Sequence, residues 1–195
     1  MVEMAMLIAL VVVLQMISAM IPPIGGLVSI TLTLIPVVIG AILFGKKGGA
    51  VLGFAFGLIV LINCITGMDP GGNILWVTNP VLTALICFAK GIAAGFVPAV
   101  LYELVKGKAE NVSVGRKYVA SVVAALSAPV VNTGLFVCGM LAFFMETLTA
   151  WAGGTNVVTY ILVGLAGINF LVEFLINIIL SPAIVRIVEV VKKVK

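Results

Sequence analysis

Long segments without charged residues are the feature that most restricts how this chain can fold. Residues 4–45 contain no Asp, Glu, Lys or Arg, and similar segments cover residues 48–68, 70–89 and 118–145. A helix needs about 20 apolar residues to cross a hydrocarbon layer about 30 Å thick. Six such helices and their short connections would nearly exhaust the 195 residues. The sequence therefore predicts an all-α membrane protein, with residues 1–195 forming one integral membrane domain.

Turn residues and charges divide the chain into six predicted helices. Their approximate ranges are 3–21, 31–44, 50–65, 80–105, 118–144 and 157–180. A tight Gly-Lys-Lys-Gly-Gly turn separates the second helix from the third, and Pro182 is expected to interrupt the chain before a basic C-terminal tail. The predicted loops are Pro22–Ile30, Thr66–Asn79 and Met145–Asn156.

The distribution of basic residues predicts the orientation in the membrane. Apart from Lys90, every Lys and Arg falls in the second or fourth connection or in the C-terminal segment, while the three loops named above contain none. Cytoplasmic loops carry an excess of Lys and Arg. We therefore expect both termini in the cytoplasm, the three loops outside, and a multi-pass protein of a bacterial cell membrane.

Lys90 is the one basic residue that falls inside a predicted span. It lies about 15 Å along the fourth helix, at 1.5 Å of rise per residue. An ionisable residue within the membrane is costly and usually marks a function. We expect Lys90 to bind the carboxylate of a ligand in an outward-facing pocket. Alternatively, its ammonium group snorkels to the interface, pairs with Glu173, or loses its proton.

Several polar or aromatic residues are candidates to contact the same ligand. Asn132 and Asn169 lie about 18 Å from the outer ends of their helices, at nearly the depth of Lys90, whereas Glu173 lies about 24 Å deep. The other candidates lie at the rim: Trp76, Asn79, Thr31 and Thr33. Trp76 could instead anchor the protein at the interface, and the threonines could bond to their own backbone.

Several functional classes are disfavoured by what the sequence lacks. There is no histidine, and the three cysteines are far apart and form no CxxC pair, which argues against an enzyme or a metal site. There is no Walker A sequence, no repeated half and no row of acidic residues. A ligand-binding subunit that depends on a partner for energy fits this pattern, while a small channel or helper subunit remains an alternative.

Four segments resemble the substrate-binding S components of energy-coupling factor (ECF) vitamin transporters. These are the AxxxA pair Ala5/Ala9, which lies on one helix face, and the segments Thr31–Leu58, Thr78–Gly95 and Ala128–Phe136. The resemblance implies a vitamin-binding subunit that works with a transmembrane coupling subunit and two cytoplasmic ATPases. It would topple in the membrane to deliver its substrate. ATP would be used by the ATPases, and this chain would hold no cofactor.

The resemblance also assigns residues and a substrate class. In that family the alanine face of the first helix contacts the coupling subunit, which implies this role for Ala5 and Ala9. The sequences TNP before Lys90 and NTG after it are most similar to pantothenate-type members, in which an arginine is expected where this chain has Lys90. A lysine is a point donor and an arginine a planar fork. Folate, riboflavin or another small vitamin therefore stays an alternative.

Overall fold

A computed structural model describes residues 2–20, 31–107, 112–165 and 167–194. All of the regular structure in these ranges is helical. The elements are α1 (Val2–Met20), α2 (Leu34–Thr66), α3 (Pro70–Thr78), α4 (Pro80–Lys106), α5 (Val114–Phe143), α6 (Met145–Ala152), α7 (Val157–Thr159), a π-helical turn (Tyr160–Leu165) and α8 (Gly167–Val194). Among the described residues, five helices are long and apolar enough to cross a membrane: α1, α2, α4, α5 and α8. The predicted loop Pro22–Ile30 lies outside the described residues.

Helix α2 is a hairpin of two helical arms, as the predicted turn after residue 44 required. Gly45 has a φ of 68° and a ψ of −163°, which no helix can contain and which favours glycine. Beyond Gly45 the chain turns back, because Leu52 packs against Gly40 and Gly49 lies beside Ala41. Residues 34–44 and 46–66 are called the first and second arms of α2 below.

Glycines bring the second arm of α2 into backbone contact with α4. A Cβ atom added at Gly49, Gly53 or Gly57 would collide with a carbonyl oxygen of α4, at Gly95, Gly91 and Cys87 respectively. Small residues spaced by four allow two membrane helices to approach closely. The contacting residue numbers increase along α2 and decrease along α4, so the two helices are antiparallel. The contact fixes which face of α4 points inward.

Two of the segments predicted as loops contain short helices. Asp69 begins α3 by accepting a hydrogen bond from the Gly72 N–H at 3.2 Å, and Pro70 occupies the first helical position. Both features are standard start signals for a helix. In the third predicted loop, α6 buries Leu148 against Phe144 and Met140 of the α5 end. Leu75 of α3 joins the same apolar cluster, so the second and third predicted loops pack together at one end of the bundle.

The last helix does not stop at Pro182, so the predicted interruption is wrong. Helix α8 continues through Pro182 to Val194. A proline leaves the carbonyl four residues earlier without its backbone donor, which here is the carbonyl of Ile178. The hydroxyl of Ser181 donates to that oxygen at 2.8 Å and replaces the missing bond.

The glycine contact predicts a position-specific loss of stability. We expect Gly53→Ala to lower the free energy of unfolding by about 1–3 kcal/mol, because the new methyl group meets rigid backbone of α4. Gly134→Ala is the matched control, since a Cβ there meets nothing within 4 Å. Thermal unfolding in detergent measures both variants, and equal stability would contradict the close contact.

Candidate ligand-binding site

Lys90 lines a small internal cavity between the second arm of α2, α3, α4 and α5. The cavity has a volume of about 30 Å³. Its walls are formed by Val60, Cys64, Asp69, Gly72, Leu75, Thr83, Ile86, Cys87, Lys90 and Phe136. Such a volume holds one or two water molecules, whereas sites for small organic ligands measure roughly 300–1,000 Å³. A vitamin could therefore enter only if one of the walls moved.

Two capping residues hold the wall made by α3 in place. Asp69 caps the start of α3, and Asn79 both ends α3 and caps α4, where its side-chain oxygen accepts from the Leu82 N–H at 3.1 Å. Each is followed by a proline at the first helical position. As a result, α3 is a nine-residue helix with a hydrogen-bonded cap at each end, and its residues Gly72 and Leu75 form part of the cavity wall.

The Lys90 ammonium group faces the cavity and the aromatic ring of Phe136. Its Nζ lies 5.1 Å from the ring centroid, within range of a cation–π attraction. The side chain is partly buried, and among the described residues no carboxylate lies within 4 Å of it. Lys90 therefore keeps hydrogen-bonding capacity directed into the cavity.

Asp69 is the acidic residue of the cavity wall. Burial raises the pKa of its carboxyl group above the ordinary value, while the Gly72 N–H and the positive charge of Lys90 act in the opposite direction. The sequence showed Asp69 as a loop charge and did not identify it as a site residue. The signal that could have identified it is the sequence Asp-Pro-Gly-Gly, which is typical of a helix start. A helix that begins there places the Asp69 carboxylate in the same cavity wall as residues of α4.

Thr31, Thr33 and Glu173 belong to a second polar cluster that joins α1, α2 and α8. The Thr31 N–H donates to Glu173 Oε1 at 2.7 Å, and the Thr33 hydroxyl donates to Gln15 Oε1 at 2.7 Å. The Leu32 N–H donates to Ser18 Oγ at 3.1 Å. These bonds occupy polar groups at the start of α2. Neither threonine lines the Lys90 cavity, and Glu173 forms no ion pair with Lys90 within 4 Å.

The other predicted contact residues are spread over the neighbouring elements. Asn132 is buried on α5, and its Oδ1 accepts no hydrogen bond from the described part of the chain. Asn169 lies in α8, but its side chain is outside the described residues. Trp76 packs, partly buried, against the main apolar core, and Asn79 uses its oxygen as a cap. Of the predicted contact residues whose side chains the structure describes, only Lys90 lines the cavity, while Thr83 and Phe136 were not anticipated.

A larger groove lies at the other end of α4, about 20 Å from Lys90 at 1.5 Å per residue. Its volume is about 420 Å³, and its walls include Gly45, Lys46, Glu103 and Lys106. Lys46 and Glu103 form an ion pair of 3.0 Å whose side chains are about half exposed. An exposed pair of this kind contributes little stability. The groove is ligand-sized and lies at the end of the bundle marked by basic residues, away from Lys90.

Ala5 and Ala9 lie on a free face of α1. Both are exposed, together with Met6 and Val13. The opposite face packs on α2, where Leu7 approaches Gly40 and Val11 is fully buried. The geometry thus leaves the alanine pair accessible to another membrane helix.

Comparisons with known proteins place this architecture in a family. A family model described as "ECF transporter, substrate-specific component" matches residues 1–185. The chain is also 28% identical over 182 residues to the pantothenic acid transporter PanT of Lactococcus lactis subsp. cremoris (strain MG1363), covering 93% of this chain and 89% of the relative. The family match spans nearly the whole chain and makes it a multi-pass transport subunit rather than an enzyme. The chain belongs to the substrate-specific components of ECF transporters.

Proposed function

We propose that this chain binds pantothenate from outside the cell and hands it to an ATP-driven coupling module. The observation that supports pantothenate as the substrate is the similarity to a pantothenic acid transporter along 93% of the chain. Pantothenate has one carboxylate, one amide and hydroxyl groups, so it needs one cation and several hydrogen-bonding partners. The site offers a lysine, one aromatic ring, that of Phe136, and the hydroxyl oxygen of Thr83. The Thr83 hydroxyl donates its own proton to the Asn79 carbonyl at 2.8 Å, so its oxygen can act toward a ligand as an acceptor.

Lys90 would bind the carboxylate of the vitamin. An ammonium group inside the membrane is costly unless it meets an anion or strong acceptors. The partly buried Nζ over Phe136, with no carboxylate within 4 Å among the described residues, supports this role. The buried Oδ1 of Asn132 has no donor among the described residues and calls for a partner, but Asn132 does not line the cavity, so the ligand would reach it only in a wider, opened site.

Helix α3 would act as the lid of the site. The cavity of about 30 Å³ is far smaller than a vitamin needs, and α3 supplies the wall with the shortest element. Gly67, with a φ of 80°, precedes the lid, and the extended Asn79 follows it. A few residues at the ends of an element can absorb the rotation that opens a lid.

Replacing Lys90 tests the proposal. We expect Lys90→Gln to weaken pantothenate binding about ten- to hundredfold, because a hydrogen bond to a charged group contributes about 1.5–3 kcal/mol. Isothermal titration calorimetry on the purified protein measures the affinity. Lys47→Gln, in the exposed turn, is the control and should bind normally. A folded Lys90→Gln protein with unchanged affinity would exclude the clamp.

The membrane topology consists of six crossings with both termini in the cytoplasm. The reversal at Gly45 supports this count, because α2 would otherwise be one helix about 50 Å long in a layer about 30 Å thick. The packing of α3 and α6 at one end of the bundle supports a common outer side. Lys46 and Lys106 at the opposite end agree with a cytoplasmic face.

Cysteine labelling checks this orientation. In a variant without the three native cysteines, we expect Glu146→Cys to react with a membrane-impermeant maleimide on intact cells, because α6 lies on the outer side. Lys47→Cys should react only after the cells are permeabilised. The reverse pattern would place the termini outside.

The exposed face of α1 would bind the transmembrane coupling subunit, which in turn connects to two cytoplasmic ATPases. Partnership with such a module is a property of the family to which the chain belongs. Exposed alanines allow a second helix to approach closely in the membrane. The outward placement of Ala5 and Ala9, away from the α2 contact, supports this assignment.

Bulky residues on this face should separate binding from transport. In the double variant Ala5→Trp and Ala9→Trp, we expect pantothenate affinity to persist while co-purification with the coupling subunit and uptake are lost. Ala142→Trp, an exposed alanine on α5, is the matched control and should retain all three. Normal complex formation by the double variant would contradict the assignment.

A further inference from the structure

The Lys90 cavity is lined by one carboxylic acid and one amine, which lie on different elements. Asp69 stands at the start of α3, and Lys90 lies on α4. The two side chains line the same 30 Å³ space, yet they are not within 4 Å of each other. The remaining walls carry no charge: they are apolar residues, Gly72, Thr83 and the thiols of Cys64 and Cys87. Among the described residues, Asp69 is thus the carboxylate that lines the same cavity as the ammonium group.

We propose that Asp69 is a counter-ion of Lys90 that competes with the carboxylate of the ligand and so determines how strongly the site prefers an anion. The inference rests on the proposed function, in which Lys90 receives that carboxylate. A ligand carboxylate beside Lys90 would share the cavity with the Asp69 carboxylate. Two negative charges in one small, partly buried cavity repel each other strongly. Binding therefore requires the Asp69 charge to withdraw or to be neutralised.

The position of Asp69 connects this competition to the lid. The same carboxylate accepts the Gly72 N–H at 3.2 Å and thereby starts α3. If the ligand displaces Asp69 from the field of Lys90, the start of α3 moves with it. The attraction between Asp69 and Lys90 then holds the lid closed over the free site, and an incoming carboxylate releases it.

The variant Asp69→Asn tests the inference because asparagine caps a helix as well as aspartate does but carries no charge. We expect it to tighten binding of pantothenate roughly three- to tenfold, by removing one repulsive charge. Binding of the corresponding primary alcohol, which lacks the carboxylate, should tighten by a clearly smaller factor, because the variant eases opening of the lid for both compounds but removes a repulsion only for pantothenate. Calorimetry with both compounds measures this difference. Unchanged or weaker pantothenate binding by Asp69→Asn would overturn the inference.

Two further variants separate a charge effect from a structural one. Asp69→Ala loses the cap as well as the charge, so it should add a change common to both compounds while keeping the same difference between them as Asp69→Asn. In a Lys90→Gln background, Asp69→Asn should no longer tighten pantothenate binding, and a persisting effect would overturn the competition with Lys90. If Lys90→Gln alone left pantothenate binding unchanged, the proposed role of Lys90 would fail instead.

Discussion

The backbone contact between the second arm of α2 and α4 determines the rest of the structure. Gly49, Gly53 and Gly57 leave no room for a side chain against the carbonyls of α4. Two membrane helices gain nothing from hiding apolar surface from lipid, so close packing must supply the association. The contact fixes the rotation of α4 about its axis. That rotation turns Lys90 and Cys87 toward α2 and α5, while Leu85 and Ile92 remain exposed on the outer surface.

Helix ends inside or near a membrane need hydrogen-bond partners, and this protein supplies them from distant elements. The start of α2 is bound by Ser18 of α1 and Glu173 of α8. The starts of α3 and α4 are bound by their own caps, Asp69 and Asn79. Two polar clusters result, with different consequences. The cluster at α2 joins three helices, whereas α3 is held by its own caps and by one side-chain bond to α2, from Asn73 to the Cys64 carbonyl at 2.9 Å.

The sequence predicted most of the apolar helices well because their lengths and ends were clear. The sixth predicted helix, 157–180, was wrong at both ends, because that region contains α7 and the π-helical turn before α8, which runs from Gly167 to Val194. The predicted ranges 3–21, 80–105 and 118–144 differ from α1, α4 and α5 by four residues or fewer at each end. The hairpin at Gly45 followed from the glycines and lysines of the turn. Short elements were missed: α3 and α6, with nine and eight residues, lack the periodic pattern that identifies longer helices. The end at Pro182 was wrong because a side-chain hydroxyl replaced the lost backbone bond.

The candidate site was predicted in part, since depth along a helix can be read from sequence but direction around its axis cannot. Depth identified Lys90, and the structure turns its side chain into a cavity. Thr31 and Thr33 were candidates as polar residues at the start of the second predicted helix, whereas their bonds to Glu173 and Gln15 belong to another cluster. Asp69 was not identified because its role depends on α3, which was not predicted.

The presence of lysine rather than arginine has a physical consequence for this site. An arginine would offer a planar fork that holds one carboxylate by two bonds. Lysine is a compact charge on a flexible stem, so the same ammonium group can face Asp69 in the closed site and a ligand carboxylate afterwards. The ring of Phe136, 5.1 Å from Nζ, attracts the cation without competing for its hydrogen bonds. A point charge between two alternative anions suits a site that must bind its substrate and later release it.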